Sequence, residues 1–129
     1  MKKKLLSLGV VLLSSLFFSG CSTTITNLTP STQKRNADAL YPFEVVFETQ
    51  ERCIQHDTVK PSVIIGGQAY PMEPAMMLND RWETLIPVSP DKEYVSYRFK
   101  FDYDYTSIPR RRPGSILSRS FQLKISDNK

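Results

Sequence analysis

Tyr94-Val95-Ser96-Tyr97-Arg98-Phe99-Lys100-Phe101-Asp102-Tyr103-Asp104-Tyr105 is the stretch that decides the fold. Aromatic rings fall at every second position from Tyr97 to Tyr105, and Arg98, Lys100, Asp102 and Asp104 fill the positions between. A helix would scatter those rings around its circumference, whereas a strand stacks them on one side. The segment therefore reads as a strand whose inner face is Tyr97, Phe99 and Phe101. At about 3.3 Å per residue it would run roughly 40 Å, past the usual strand length. Its far end is expected to overhang and carry Tyr103 and Tyr105 to the rim as a candidate partner-binding surface.

The same period of two appears on either side. Tyr41, Phe43, Val45 and Phe47 alternate with residues that include Glu44 and Glu48, and Trp82, Thr84 and Ile86 alternate with Glu83 and Leu85. Ser62 to Ile65 and Gln68 to Met72 flank Gly66-Gly67, two residues that can both take positive φ, so they predict a tight hairpin with Pro71 at an edge or a bulge. A last strand is expected near Ile116 to Ile125, with Phe121, Leu123 and Ile125 inward. Thr24 to Leu28 is threonine-rich and β-favouring, which suits a first edge strand ended by Pro30; the competing reading is a flexible tether from Ser22 to Leu40, about 25 Å long. Between Glu73 and Asp80 the run Met76-Met77-Leu78 is too apolar for open solvent and is expected to fold over one end of the core. No stretch has helical periodicity. Six or seven short strands with this turn chemistry predict an all-β, immunoglobulin-like antiparallel sandwich over residues 41–127, with the last two long strands as central neighbours. Tyr97 falls in the region of a tyrosine corner.

The other end of the chain opens with Met1-Lys2-Lys3-Lys4, an apolar run from Leu5 to Phe18, and small residues directly before Cys21. About 14 residues of helix cover roughly 21 Å, short of the roughly 30 Å hydrocarbon core, so the run suits a cleaved export signal better than a permanent span. Phe18-Ser19-Gly20-Cys21 resembles the lipobox of bacterial lipoproteins, with Phe18 where leucine is usual. The resemblance implies a signal peptide over residues 1–20, a fatty-acylated Cys21 as first mature residue, and a lipid anchor and tether, with a possible edge strand, over 21–40. Ser22 after the cysteine, in place of aspartate, resembles lipoproteins forwarded to the outer membrane.

Bulk composition follows from that cut. Removing residues 1–20 takes away Lys2, Lys3 and Lys4, so the 17 basic residues fall to 14 against 13 acidic ones. The basic excess belongs mostly to the leader, and no nucleic-acid partner is implied. The remaining 109 of 129 residues suit one domain. With Cys21 acylated, only Cys53 is left, which excludes an internal disulfide and is most simply read as a small buried hydrophobe.

The chemical inventory is short. His56 is the one histidine and stands beside Asp57 with no second histidine or cysteine at ligand spacing, so no metal or cofactor is expected. No serine sits in a Gly-x-Ser-x-Gly elbow. Asp102 and Asp104 share a strand face about 7 Å apart, but Arg98 and Lys100 are on that face and ion pairing accounts for them. Arg110-Arg111-Arg112, framed by Pro109 and Pro113-Gly114, concentrates charge in a stiffened loop that could grip lipid phosphates or an acidic partner. Trp82-Glu83-Thr84-Leu85-Ile86-Pro87-Val88 and Tyr97-Arg98-Phe99-Lys100-Phe101-Asp102 are similar to the Trp and Tyr-x-Phe-x-x-Asp strands of immunoglobulin-like glycan-binding modules attached to starch and glycogen enzymes. Those modules carry glycine after the aspartate and further tryptophans. Tyr103 stands there in this chain and Trp82 is the only tryptophan, so the likeness implies the fold more than the ligand. The expectation is a non-enzymatic envelope lipoprotein with a structural or protein-contact role at a bacterial membrane; the alternative is a glycan-binding module.

Overall fold

The structure is a computed structural model that describes residues 22–50, 54–106 and 112–127. In chain order its strands are β1 (Thr23–Asn27), β2 (Thr32–Lys34), β3 (Leu40–Thr49), β4 (Lys60–Ile65), β5 (Gln68–Pro71), β6 (Glu73–Pro74), β7 (Arg81–Pro87), β8 (Tyr94–Tyr105), β9 (Arg112–Leu117) and β10 (Phe121–Ser126). A single 3-10 turn at His56–Thr58 is the one helical element among the described residues. One sheet has the order β1-β3-β7-β6; the other runs β2-β10-β8-β4-β5, with β9 also on β8. Every pairing is antiparallel except that of β2 with β10. The first order matches the A-B-E-D sheet of an immunoglobulin-type sandwich, and β4, β8 and β9/β10 occupy its C, F and G places.

The two faces that meet are those that the alternation marks. Phe43, Val45, Phe99, Phe101 and Leu123 are wholly buried. Phe47 of β3 stacks on Phe101 of β8 with centroids 4.1 Å apart, and Phe43 meets Tyr97 edge-on at 4.9 Å, so β3 and β8 lock the sheets together ring against ring. Truncating either phenylalanine to alanine would cost about 3–5 kcal/mol. The hydroxyl of Tyr97 accepts a hydrogen bond from Asn27 Nδ2 at 2.8 Å, across the sandwich, where a tyrosine corner would have it donate to a backbone carbonyl a few residues upstream.

The hairpin at Gly66-Gly67 is as expected, with φ of 56° and 80° joining Ile65 to its partner Gln68. Pro71 lies on the edge strand β5. The last strand is broken where a period of two cannot show it. Leu117 pairs with Lys100 and Phe121 with Tyr97, so residues 118–120 face only Arg98 and Phe99. This is a one-residue bulge. Ser118 mends the ladder: its N–H donates to Phe99 O and its hydroxyl accepts from Phe99 N–H, both at 2.8 Å.

The expected first edge strand is present: β1 pairs with β3 from Thr23 onward and Ile25 lies opposite Phe47, so the competing reading of a free tether from 22 to 40 is ruled out and the sandwich takes in residues before 41. Two expectations are corrected. The far end of β8 does not overhang. Tyr103, Asp104 and Tyr105 pair with Gly114, Pro113 and Arg112, and on the other side Gln55 N–H donates to Asp104 O while Thr58 Oγ1 accepts from Asp104 N–H. Finally, Met76-Met77-Leu78 does not cover the core. Met76 is 85% exposed, Met77 100% and Leu78 51%, while Met72 and Ala75 on the way into the loop are buried in their place. Opposite this end, Arg35 joins β2 to the C-terminal strand and the β7–β8 turn through Asp127 (2.6 Å), Pro90 O (2.7 Å) and Lys92 O (3.1 Å). The Asp127 carboxylate raises its already high pKa.

Candidate functional site

Strand direction collects four parts of the chain at one end of the sandwich. Thr23, where β1 starts, is level with Thr49, where β3 stops. The connection from β3 to β4 runs from there through Ile54, which bridges to Tyr105 at the tip of β8. The loop from β6 to β7 arrives at the same end, since Asp80 O accepts from Phe47 N–H at 2.8 Å, two residues before Thr49, and Asp80 Oδ1 lies 3.7 Å from His56 Nδ1. Tyr105 pairs with Arg112, which places the β8–β9 connection there too. Arg110 and Arg111, like Cys21 and Cys53, lie outside the described residues, while Arg112 is exposed.

The expected rim aromatics separate on inspection. Tyr103 is buried (4% exposed), and only Tyr105, at 42%, offers its ring to solvent. The two rings meet edge-on at 5.2 Å with hydroxyls 3.2 Å apart. Gly114, opposite Tyr103, makes room for them: a methyl there would stand 2.8 Å from the Tyr103 ring and 2.6 Å from that of Tyr105. Burial, and then the hydrogen bond to Tyr105, pushes the Tyr103 phenol up to about 12. A neutral phenol in that place is a structural strut, with nothing to lend to acid-base chemistry near neutrality.

Trp82 lies opposite Val45 on the inner side of β7, and with Tyr70 it packs half-buried against the core. Tyr94 and Tyr105 are exposed but stand at the two ends of the twelve-residue β8, roughly 36 Å apart. These rings form no common flat platform. Asp102 forms an ion pair of 3.7 Å with Lys100 on its own strand, and Lys60 is its register partner across the sheet. Among the described residues no three metal-capable side chains converge.

Two features escape a reading of the sequence. The first is the projecting loop from Ala75 to Asp80. Leu78 N–H donates to Ala75 O, and Met77, at the third position of that turn, has φ of +62°. Glycine or asparagine normally takes such a place, because a Cβ there is strained. Pro74 before and Asn79-Asp80 after the apolar triplet were the available signal of a tight projecting turn. The second is a row of carboxylates on the outer face of the first sheet. Glu44 lies opposite Glu83, and Glu83 opposite Glu73. Arg81 pairs with Glu44, and Leu85 beside the row is 60% exposed. No spacing in the sequence joins three residues whose meeting depends on two registers. No protein-family model matches this chain, and no curated protein resembles it at a significant level.

Proposed function

We propose that the chain is a lipid-anchored protein of a bacterial envelope, held at a membrane through Cys21, outer membrane by the Ser22 that follows, with a non-catalytic structural or protein-contact role. The observation that carries this reading is a spacing. The lipobox-like Phe18-Ser19-Gly20-Cys21 ends two residues before Thr23, the start of the first strand, so a cut at Cys21 would remove only what precedes the fold. A small sandwich with almost no net charge after that cut has little other hold on a bilayer. The glycan-binding alternative needs rings that share an exposed face, and Trp82, Tyr70, Tyr94 and Tyr105 do not.

Feeding cells that make the full-length chain with an alkyne-tagged fatty acid tests the reading. The wild-type protein should take up the tag and a Cys21→Ala variant should not. An untagged wild type, or a variant tagged equally well, contradicts it.

A further inference from the structure

We propose that the loop from Ala75 to Asp80 is a second membrane contact, in which Met76, Met77 and Leu78 enter the interfacial layer of the same phospholipid leaflet that holds the Cys21 lipid. This rests on the lipid-anchored reading and adds an orientation to it: the loop end of the sandwich faces the bilayer.

Reach is the first support. Only Ser22 separates Cys21 from Thr23, and a fully extended chain spans at most roughly 7 Å over those two steps. Thr23 and Asp80 lie near one end of the same sheet, Thr23 opposite Thr49 and Asp80 bonded to Phe47, two residues or roughly 7 Å further in along β3. Their strands β1 and β7 are separated only by β3, with β6 beyond, so the anchor and the loop stand about 10 to 15 Å apart across the sheet. Fatty chains attached at residue 21 would bring the loop to the headgroups without any tether to clear them.

Exposure and backbone are the second. Three consecutive apolar side chains at 85%, 100% and 51% exposure form the most solvent-facing apolar group among the described residues. Met77 holds φ of +62°, a conformation in which glycine would serve the fold better. The flexible methionine side chain there does nothing for the core, yet it projects outward where an apolar, deformable surface can receive it. Among the described residues charge at this end is mixed, with Arg81 and Arg112 against Glu48, Asp57, Asp80 and Asp104, so the attraction is chiefly apolar. Anchoring makes the contact intramolecular, so even a weak preference of the loop for the interface is realised most of the time.

Protein purified from the membranes of cells that express the full-length chain, sparse in vesicles of phosphatidylethanolamine and phosphatidylglycerol, is treated with hydrogen peroxide beside a synthetic peptide of residues 73–81. Met76 and Met77 should oxidise on the order of tenfold more slowly than the same residues of the peptide. Oxidation at the peptide's rate overturns the proposal and leaves the loop to a protein partner or a second copy. The mass of the N-terminal peptide from the same sample separates the two failures: lipid present with unprotected methionines defeats only the loop contact, and lipid absent defeats both readings.

Discussion

Tyr103 shows how one side chain sets a condition on the whole fold. Its phenol ionises near 10 in an unfolded chain and at about 12 in the native one, because burial and the Tyr105 hydroxyl favour the neutral form. The native state then binds more protons than the unfolded state between those two values. The stability this contributes is complete below pH 10 and drains as pH rises from 10 towards 12. Urea midpoints measured from pH 9 to 12 should fall more steeply for the wild type than for Tyr103→Phe; equal slopes would contradict this. Gly114 depends on the same pair of rings. Tyr105 can swing into solvent, but Tyr103 is enclosed, so Gly114→Ala should cost about 1–3 kcal/mol as overpacking. A melting temperature unchanged by that substitution would show that the rings yield freely.

At the scale of elements, alternation was the legible quantity. β3 and β8 announce themselves by ring and charge at every second residue, and they turn out to be the two strands that face each other through the core. What stayed hidden depends on register or on single hydrogen bonds. β2 and β6 are too short to carry a period, and the break at Ser118 exists because one hydroxyl substitutes for a carbonyl. Apolar character alone predicts burial for Met76-Met77-Leu78, whereas the framing turn residues force the triplet outward. Register also creates a cost. Glu44, Glu83 and Glu73 stand directly opposite one another on β3, β7 and β6, and like charges in that relation are destabilising. Glu44 is already paired with Arg81, so Glu83→Lys chiefly replaces the repulsion from Glu73 by an attraction and should stabilise the domain by roughly 0.2–1 kcal/mol. Thermal unfolding at low salt reads the gain, which should shrink as salt is added; a lower melting temperature would show that the row is held for the fold's sake.

For the whole molecule, the fold and the expected location are read from separate stretches. The sandwich follows from the periodicity of residues 41 to 125, and the membrane expectation from residues 1 to 21, which precede it. Neither stretch by itself suggests how the two meet. Their relation follows from the start of β1 at Thr23, which leaves no length of free chain between the sandwich and the residue expected to carry lipid. Thr23 lies at the same end as the β6–β7 loop and Arg112, so that the proposed lipid attachment just before it and the proposed orientation become one question. The candidate partner surface was legible only in part, since Arg112 and Tyr105 are exposed at that end while Tyr103 and Trp82 are packed inward.

The most direct test is the mass of the N-terminal peptide of the protein taken from the membranes of its own cells. The account predicts a chain that starts at Cys21 and carries the added mass of fatty chains on that residue. A chain that starts elsewhere, or at Cys21 with no added lipid, would contradict it.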